Sequence, residues 1–292
     1  MTDYSGVQAA ADAFAASAVA QATAPLKAQI ADLQAKVAAL NGLPVVPAGW
    51  TEAFSDTFTG SALDGSKWTA TTDTAANELS ARLPGNVTTD GARLSIRAQR
   101  QPAAGRQFTS GYVTTAGHAS WDFFRLAVRA RWTDLYGLWP AIWLRDDTGL
   151  GEIDVMEAVG GVRKLVQTVH QSTNGDMDKA GSEWPMPAGW SPSDWHVYGL
   201  ERQNTGTLIW TIDGQPVFTR TRADLGSKSH QPMAWLTGST FAGPLHLIIN
   251  LQVGGTMPAY YLGSTYDPTR ILPAGAVGSL DIDYVQVLTP AG

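Results

Sequence analysis

The chain has 292 residues, 44% of them hydrophobic, with 30 glycines, no cysteine and a formal net charge of −6. That length suits one sizeable domain plus an appendage, and the lack of cysteine excludes disulfides and thiolate metal sites. Mild acidity without a basic run speaks against nucleic acid or an anionic membrane as partner, and no run of about 18 apolar residues offers a membrane span.

Residues 1–45 read as a short α-helical, coiled-coil extension. An Ala-rich stretch leads to Pro25, which suits the first turn of a helix. Leu26, Ile30, Leu33, Val37 and Leu40 then follow the 4-3-4-3 spacing of a heptad seam. Asn41-Gly42 supplies a stop, and Leu43 to Pro47 a stiff linker. A lone helix of this length is marginal in water. The segment is therefore expected to form a homo-oligomer, a dimer or trimer, or to dock on a larger particle; the alternative is one amphipathic helix packed on its own domain. Met1-Thr2-Asp3-Tyr4 has no basic n-region, and Asp12 and Gln21 break the Ala-rich stretch, so no secretion signal is read.

Residues 46–292 read as an all-β domain. Short apolar runs such as Leu94-Ser95-Ile96, Leu126-Ala127-Val128 and Leu208-Ile209-Trp210 alternate with Gly, Pro, Ser, Thr and Asp clusters, the pattern of a sandwich. In Gly137 to Leu144, strand alternation puts Trp139, Ala141 and Trp143 on one face and Ile142 and Leu144 on the other. Two indoles flanking a small residue make a flat apolar floor for a sugar ring, or alternatively core packing. Gly151 to Glu157 carries acids at i, i+2 and i+5: Glu152, Asp154 and Glu157. A bulge within Val155-Met156 would return Glu157 to the face of the other two. Two carboxylates about 5 Å apart across one bond are what retaining glycoside hydrolysis requires; on spacing alone, the same acids also fit a solvated strand face. Further on, Asp213-Gly214 between two apolar runs signals a hairpin. The histidines His118, His170, His196, His230 and His246 show no metal-ligand spacing.

The segments GLWPAIWL and GEIDVMEAVGG together resemble the centre of glycoside hydrolase family 16, in its laminarinase-like branch. Weaker matches run in order along the chain: Phe54 to Gly60 resembles the first strand, Asn77-Glu78-Leu79 a cleft loop and Phe108 to Gly111 a following strand. Val169-His170 resembles the strand after the acids, Trp195 to Tyr198 with Trp210 to Gly214 a strand pair, Leu247 to Leu251 a late strand and Asp281 to Val285 the closing one. The resemblance implies a concanavalin-A-like jelly-roll β-sandwich and an endo-acting retaining hydrolase of β-linked polysaccharide, β-1,3-glucan or a related bacterial exopolysaccharide. It implies Glu152 as nucleophile, Asp154 as assisting acid and Glu157 as general acid/base, with Asn77, Trp139, Trp143 and His170 as sugar contacts. It implies no required cofactor, but a structural calcium held through Asp283. The chain departs from the pattern at Tyr112, where many members carry Arg, at Ala127, where a Glu is usual, and at Thr57, where the first strand often has Glu. Asn174 through Trp190, with Trp184 and Trp190, is expected to form a cleft wall. A non-catalytic carbohydrate-binding or virion decoration protein on the same fold is the alternative. A polysaccharide hydrolase acts outside the cell; joined to a helical segment without a secretion signal, that suggests a virion-associated depolymerase.

Overall fold

A computed structural model describes residues 42–147, 151–173, 176–221 and 243–292, with isolated positions 14, 19, 23 and 29; the side chains of 171–180 fall outside the description. The chain divides into two compact units, Met1–Ala48 and Gly49–Gly292. In the first, Phe14, Val19, Thr23 and Gln29 are helical, and the Thr23 hydroxyl donates to the Val19 carbonyl at 2.8 Å. The seam residues Leu26, Ile30, Leu33, Val37 and Leu40 lie outside the described residues. Among the described residues no helix is long and apolar enough to cross a membrane.

The second unit is the expected all-β sandwich. One sheet runs β15 (Gln215–Arg220), β14 (Leu208–Ile212), β13 (His196–Arg202), β8 (Phe124–Trp132), β17 (Val277–Pro290), β5 (Leu94–Gln99), β6 (Phe108–Ser110), β3 (Ser80–Arg82), with β1 (Trp50–Asp56) on β17 and β4 (Val87–Thr89) on β5. The other runs β12 (Asp176–Pro185), β11 (Lys164–Thr173), β10 (Gly151–Ala158), β9 (Leu138–Asp146), β16 (Leu245–Val253), β7 (Tyr112–Thr114), β2 (Thr69–Ala70). Strand β8 shows why these sequences become strands: Phe124, Leu126, Val128, Ala130 and Trp132 are buried, while Arg125, Ala127, Arg129 and Arg131 alternate with them on the outer face. Asp213 and Gly214 both have positive φ, 51° and 75°, as a two-residue type I′ hairpin between β14 and β15 demands.

On β9, Ile142 and Leu144 enter the core between the sheets. Trp139, Ala141, Trp143 and Arg145 line a cleft on the outer face. Its neighbour β10 pairs Asp154 with Trp143 and Met156 with the next residue back, Ile142, so Val155 has no opposite number. The β11 side slips at the same place, between Asp154 and Glu157. Val155 and Met156 both enter the core, which is the bulge expected from the acid spacing.

A bulge strands a backbone carbonyl inside the sandwich. Here the Asp154 carbonyl accepts from the indole Nε1 of Trp210, 2.8 Å away on β14 of the opposite sheet. Trp210→Phe is expected to orphan that buried acceptor and lower unfolding stability by about 1–3 kcal/mol, seen as a reduced urea midpoint at constant m-value. An unshifted midpoint would show that the bulge holds without the indole.

Candidate active site

The cleft has a volume of about 830 Å³ and is lined by all three acids and by Asn77, Trp139, Trp143 and His170. The structure thus brings into one cleft the three acids and the four residues expected as sugar contacts. The acids come from one strand, and the register opposite them fixes their neighbours: Glu152 faces His170 across β11, Asp154 faces Thr168 and Glu157 faces Val166.

Their environments differ. Glu157 and Asp154 are buried, and Glu152 is partly open. The Glu157 carboxylate accepts from Trp139 Nε1 at 2.8 Å, and burial followed by the Asp154 charge hold its pKa well above the ordinary carboxylate value. Burial and the Glu152 charge raise Asp154 well above its ordinary value too, opposed by a hydrogen bond with Glu157. Burial also raises Glu152, but His170 and then Arg145 pull it back down. In a low-dielectric site adjacent carboxylates resist ionising together, and Glu152 is the one of the three that is partly open and faces His170. One end of the line is thereby suited to carry negative charge and the other to keep a proton.

His170 Nε2 stands 3.0 Å from Asp154 Oδ2 and 3.9 Å from Glu152 Oε1. One donor atom each from Glu152, Asp154 and His170 lie within 4.8 Å of one another, the only such cation-compatible grouping among the described residues. Trp143 donates through Nε1 to Asn250 Oδ1 at 2.6 Å and meets the edge of Tyr112, ring centroids 6.2 Å apart. Of the two indoles expected as a sugar floor, Trp143 is half-exposed in the cleft, whereas Trp139 is buried and spends its N–H on Glu157. Asn77 sits on a loop whose backbone carbonyl accepts from Thr256 N–H at 3.0 Å. Gly255 makes that approach feasible: its φ is +97°, and a Cβ there would lie 1.9 Å from the Asn77 carbonyl oxygen.

Other cleft residues carried no signal in the sequence. Arg145 and Gln252 could have been found by extending the alternation of β9 to its end and reading across to β16, where Gln252 pairs with Trp139. Met257, Tyr260 and Tyr261 belong to helix α1 (Thr256–Leu262), which follows β16 and borders the cleft. Tyr261 is braced by Glu183, itself paired with Lys164 at 2.7 Å, and Tyr260 packs edge-on against it.

Two expectations meet other surroundings among the described residues. Asp283 Oδ2 accepts from Arg129 Nη1 instead of standing free for a cation, and no metal-compatible grouping forms around it among the described residues. A carboxylate already neutralised by a guanidinium, with Thr57 in place of a second acid, does not fit a calcium site. The segment expected as a cleft wall is also different: among its described side chains none lines the cleft. Trp184 and Trp190 pack on each other and on the core, with Trp190 stacked on His196 at 4.2 Å; α1 supplies the wall.

A sandwich whose outer face carries a long open groove, with three carboxylates in line along its floor, has the arrangement of a glycosidase. The chain belongs to the glycosyl hydrolases family 16, whose pattern it matches over residues 64–246. A β-glucanase of Rhodothermus marinus is 32% identical over 214 residues, 69% of this chain and 70% of that protein. A keratan-sulfate endo-1,4-β-galactosidase of Sphingobacterium multivorum is 27% identical over 281 residues, 89% of this chain but only 60% of that protein. The X-ray structure of the laminarinase from Rhodothermus marinus is similar with a TM-score of 0.69 at 28% identity, covering 83% of this chain and 98% of that one.

Because folding raises the Glu157 pKa, the folded chain binds this proton more tightly than the unfolded one. Its contribution to stability is full below the unfolded pKa and is lost as pH rises through the folded pKa. Glu157→Gln, which keeps an acceptor for Trp139, is expected to melt higher than wild type at neutral pH and level with it under acid conditions. A wild type that melts higher at neutral pH would contradict the assigned direction.

Proposed function

We propose that the chain is an endo-acting retaining hydrolase of β-linked glucan, with β-1,3-glucan as its substrate. The observation that carries this reading is the line of Glu152, Asp154 and Glu157 along the cleft face of β10, with Glu152 partly open beside His170 and Glu157 buried under the Trp139 N–H; burial raises the pKa of both glutamates, and His170 and Arg145 oppose it at Glu152. Ionised Glu152 attacks the anomeric carbon while Glu157 gives its proton to the departing glycosidic oxygen, leaving a glycosyl ester on Glu152. Glu157, now a carboxylate, takes a proton from water; the water oxygen attacks the same carbon and Glu152 leaves as carboxylate, so two inversions give net retention. Asp154 shares a hydrogen bond with Glu157 and adds the charge that keeps the proton there. Trp139 fixes the Glu157 carboxyl in place.

The glucan assignment draws on the glucanase and laminarinase relatives and on the open groove. The galactosidase relative supports β-galactan as a second reading. A purely binding role is disfavoured because three crowded, partly protonated acids cost stability that a lectin has no use for.

Reducing-end release from β-1,3-glucan, mixed-linkage glucan, galactan and bacterial exopolysaccharides, wild type beside Glu152→Gln, is expected to single out the β-1,3-glucan and to vanish in the variant. Binding without release on every polymer would leave the binding role. The pH profile of kcat/KM is expected to be bell-shaped, its acid limb from Glu152 and its alkaline limb from Glu157. Glu157→Gln is expected to lose the alkaline limb and roughly 10²–10⁴ in rate on natural substrate, with much less loss on an activated aryl glycoside. An equal loss on both would contradict the role of Glu157.

A further inference from the structure

Arg82, the last residue of β3, lines the cleft although its strand belongs to the opposite sheet. Its guanidinium is fixed on three sides. Nε and Nη2 both reach Glu78 Oε1 at 2.6 Å, the Glu78 side chain is fully buried, and its second oxygen accepts from the Ser80 hydroxyl. The flat face of the guanidinium lies over the Tyr112 ring, 4.8 Å from its centroid. Nη1 stands 3.5 Å from Asp73 Oδ2, whose side chain is 48% exposed and also lines the cleft.

A guanidinium has five N–H donors in a rigid fork. Glu78 takes those of Nε and one of Nη2, so the outer edge, with Nη1 and the other Nη2 hydrogen, is left for Asp73 and for whatever enters the groove. Burying Glu78 is expensive, and burial does raise its pKa. An apolar pair would brace a loop at lower cost. A charge pair here gives something an apolar pair does not: a donor edge held at the cleft surface with little rotamer entropy left to lose.

The partner chemistry follows from the charges. Asp73 and Glu78 neutralise the arginine, so a carboxylate or sulfate finds no net attraction. A hydroxyl both donates and accepts, which suits a donor from Arg82 beside an acceptor from Asp73. Arg82, Asp73 and Tyr112 line the same cleft as Glu152, and the Tyr112 ring meets the edge of Trp143 on its floor. Resting on the hydrolase reading above, we propose that Arg82 and Asp73 form a subsite that binds adjacent hydroxyls of a neutral hexose in the cleft, with Glu78 and Tyr112 as positioning residues. Tyr112 on β7 then serves as the platform for the guanidinium that β3 supplies.

The test is calorimetric titration of laminaritetraose into the full chain carrying Glu152→Gln, so that binding is read without turnover. Adding Asp73→Ala, at an exposed side chain, is expected to weaken binding about two- to tenfold with the melting temperature unchanged. Adding Arg82→Lys, which keeps a charge against Glu78 but loses the fork, is expected to weaken it roughly ten- to a hundredfold. Unchanged affinity in the Asp73→Ala variant, whatever Arg82→Lys does, would overturn the subsite. Tighter binding of a sulfated tetrasaccharide than of the neutral one would overturn its neutral-hexose chemistry. If wild type cleaves a galactan and the parent variant ignores laminaritetraose, the glucan reading fails, and the same two substitutions against a galacto-oligosaccharide decide the subsite separately.

Discussion

One inserted residue, Val155, organises the functional half of this protein. Without it Glu157 would point into the sandwich, because strand alternation puts i and i+5 on opposite faces. With it, three acids face the cleft, two consecutive apolar side chains face the core, and one carbonyl loses its ladder partner. Trp210 resolves that last difficulty from the other sheet. The bulge is therefore tied to the core across the full thickness of the sandwich, and the line of acids inherits the rigidity of the interior.

The same crowding that makes the site chemically useful works against the fold. Burial raises all three carboxylates, and Glu152 and Asp154 push up their neighbours in turn. What separates their roles is small in structural terms: a partly open position beside His170 and Arg145 for Glu152, and a dry position under Trp139 for Glu157. Identical side chains thus acquire different surroundings from where the strand places them.

Much of this was legible in the chain because it obeys a period. Alternation on β9 separated cleft from core residue by residue, and the i, i+2, i+5 acids required the bulge. The hairpin at Asp213-Gly214 was readable because only a few residues tolerate positive φ. What escaped has no local period. The Trp210 indole reaches the bulge over 56 positions in sequence, and Trp139 looks the same in sequence whether its N–H serves a sugar or Glu157. Trp184 and Trp190 sit in a polar, Gly- and Pro-containing stretch that reads as a loop, yet they pack on the core. Asp283 matches a ligand position but meets Arg129, a neighbour assigned only by the pairing of β17 with β8.

The cleft divides accordingly into two kinds of surface. Its floor, β9, β10 and β11, is built from central strands whose register the core enforces, and there the chemistry is held. Its margins come from places with more freedom: the Asn77 loop, the short strands carrying Arg82 and Tyr112, and α1 after Gly255. Substitutions on the floor disturb pairing on both sides, whereas those at the margins change which hydroxyls find partners. A fold arranged this way can keep one floor while its margins vary, and the arginine of this chain, carried on β3 and lying over Tyr112, stands at such a margin.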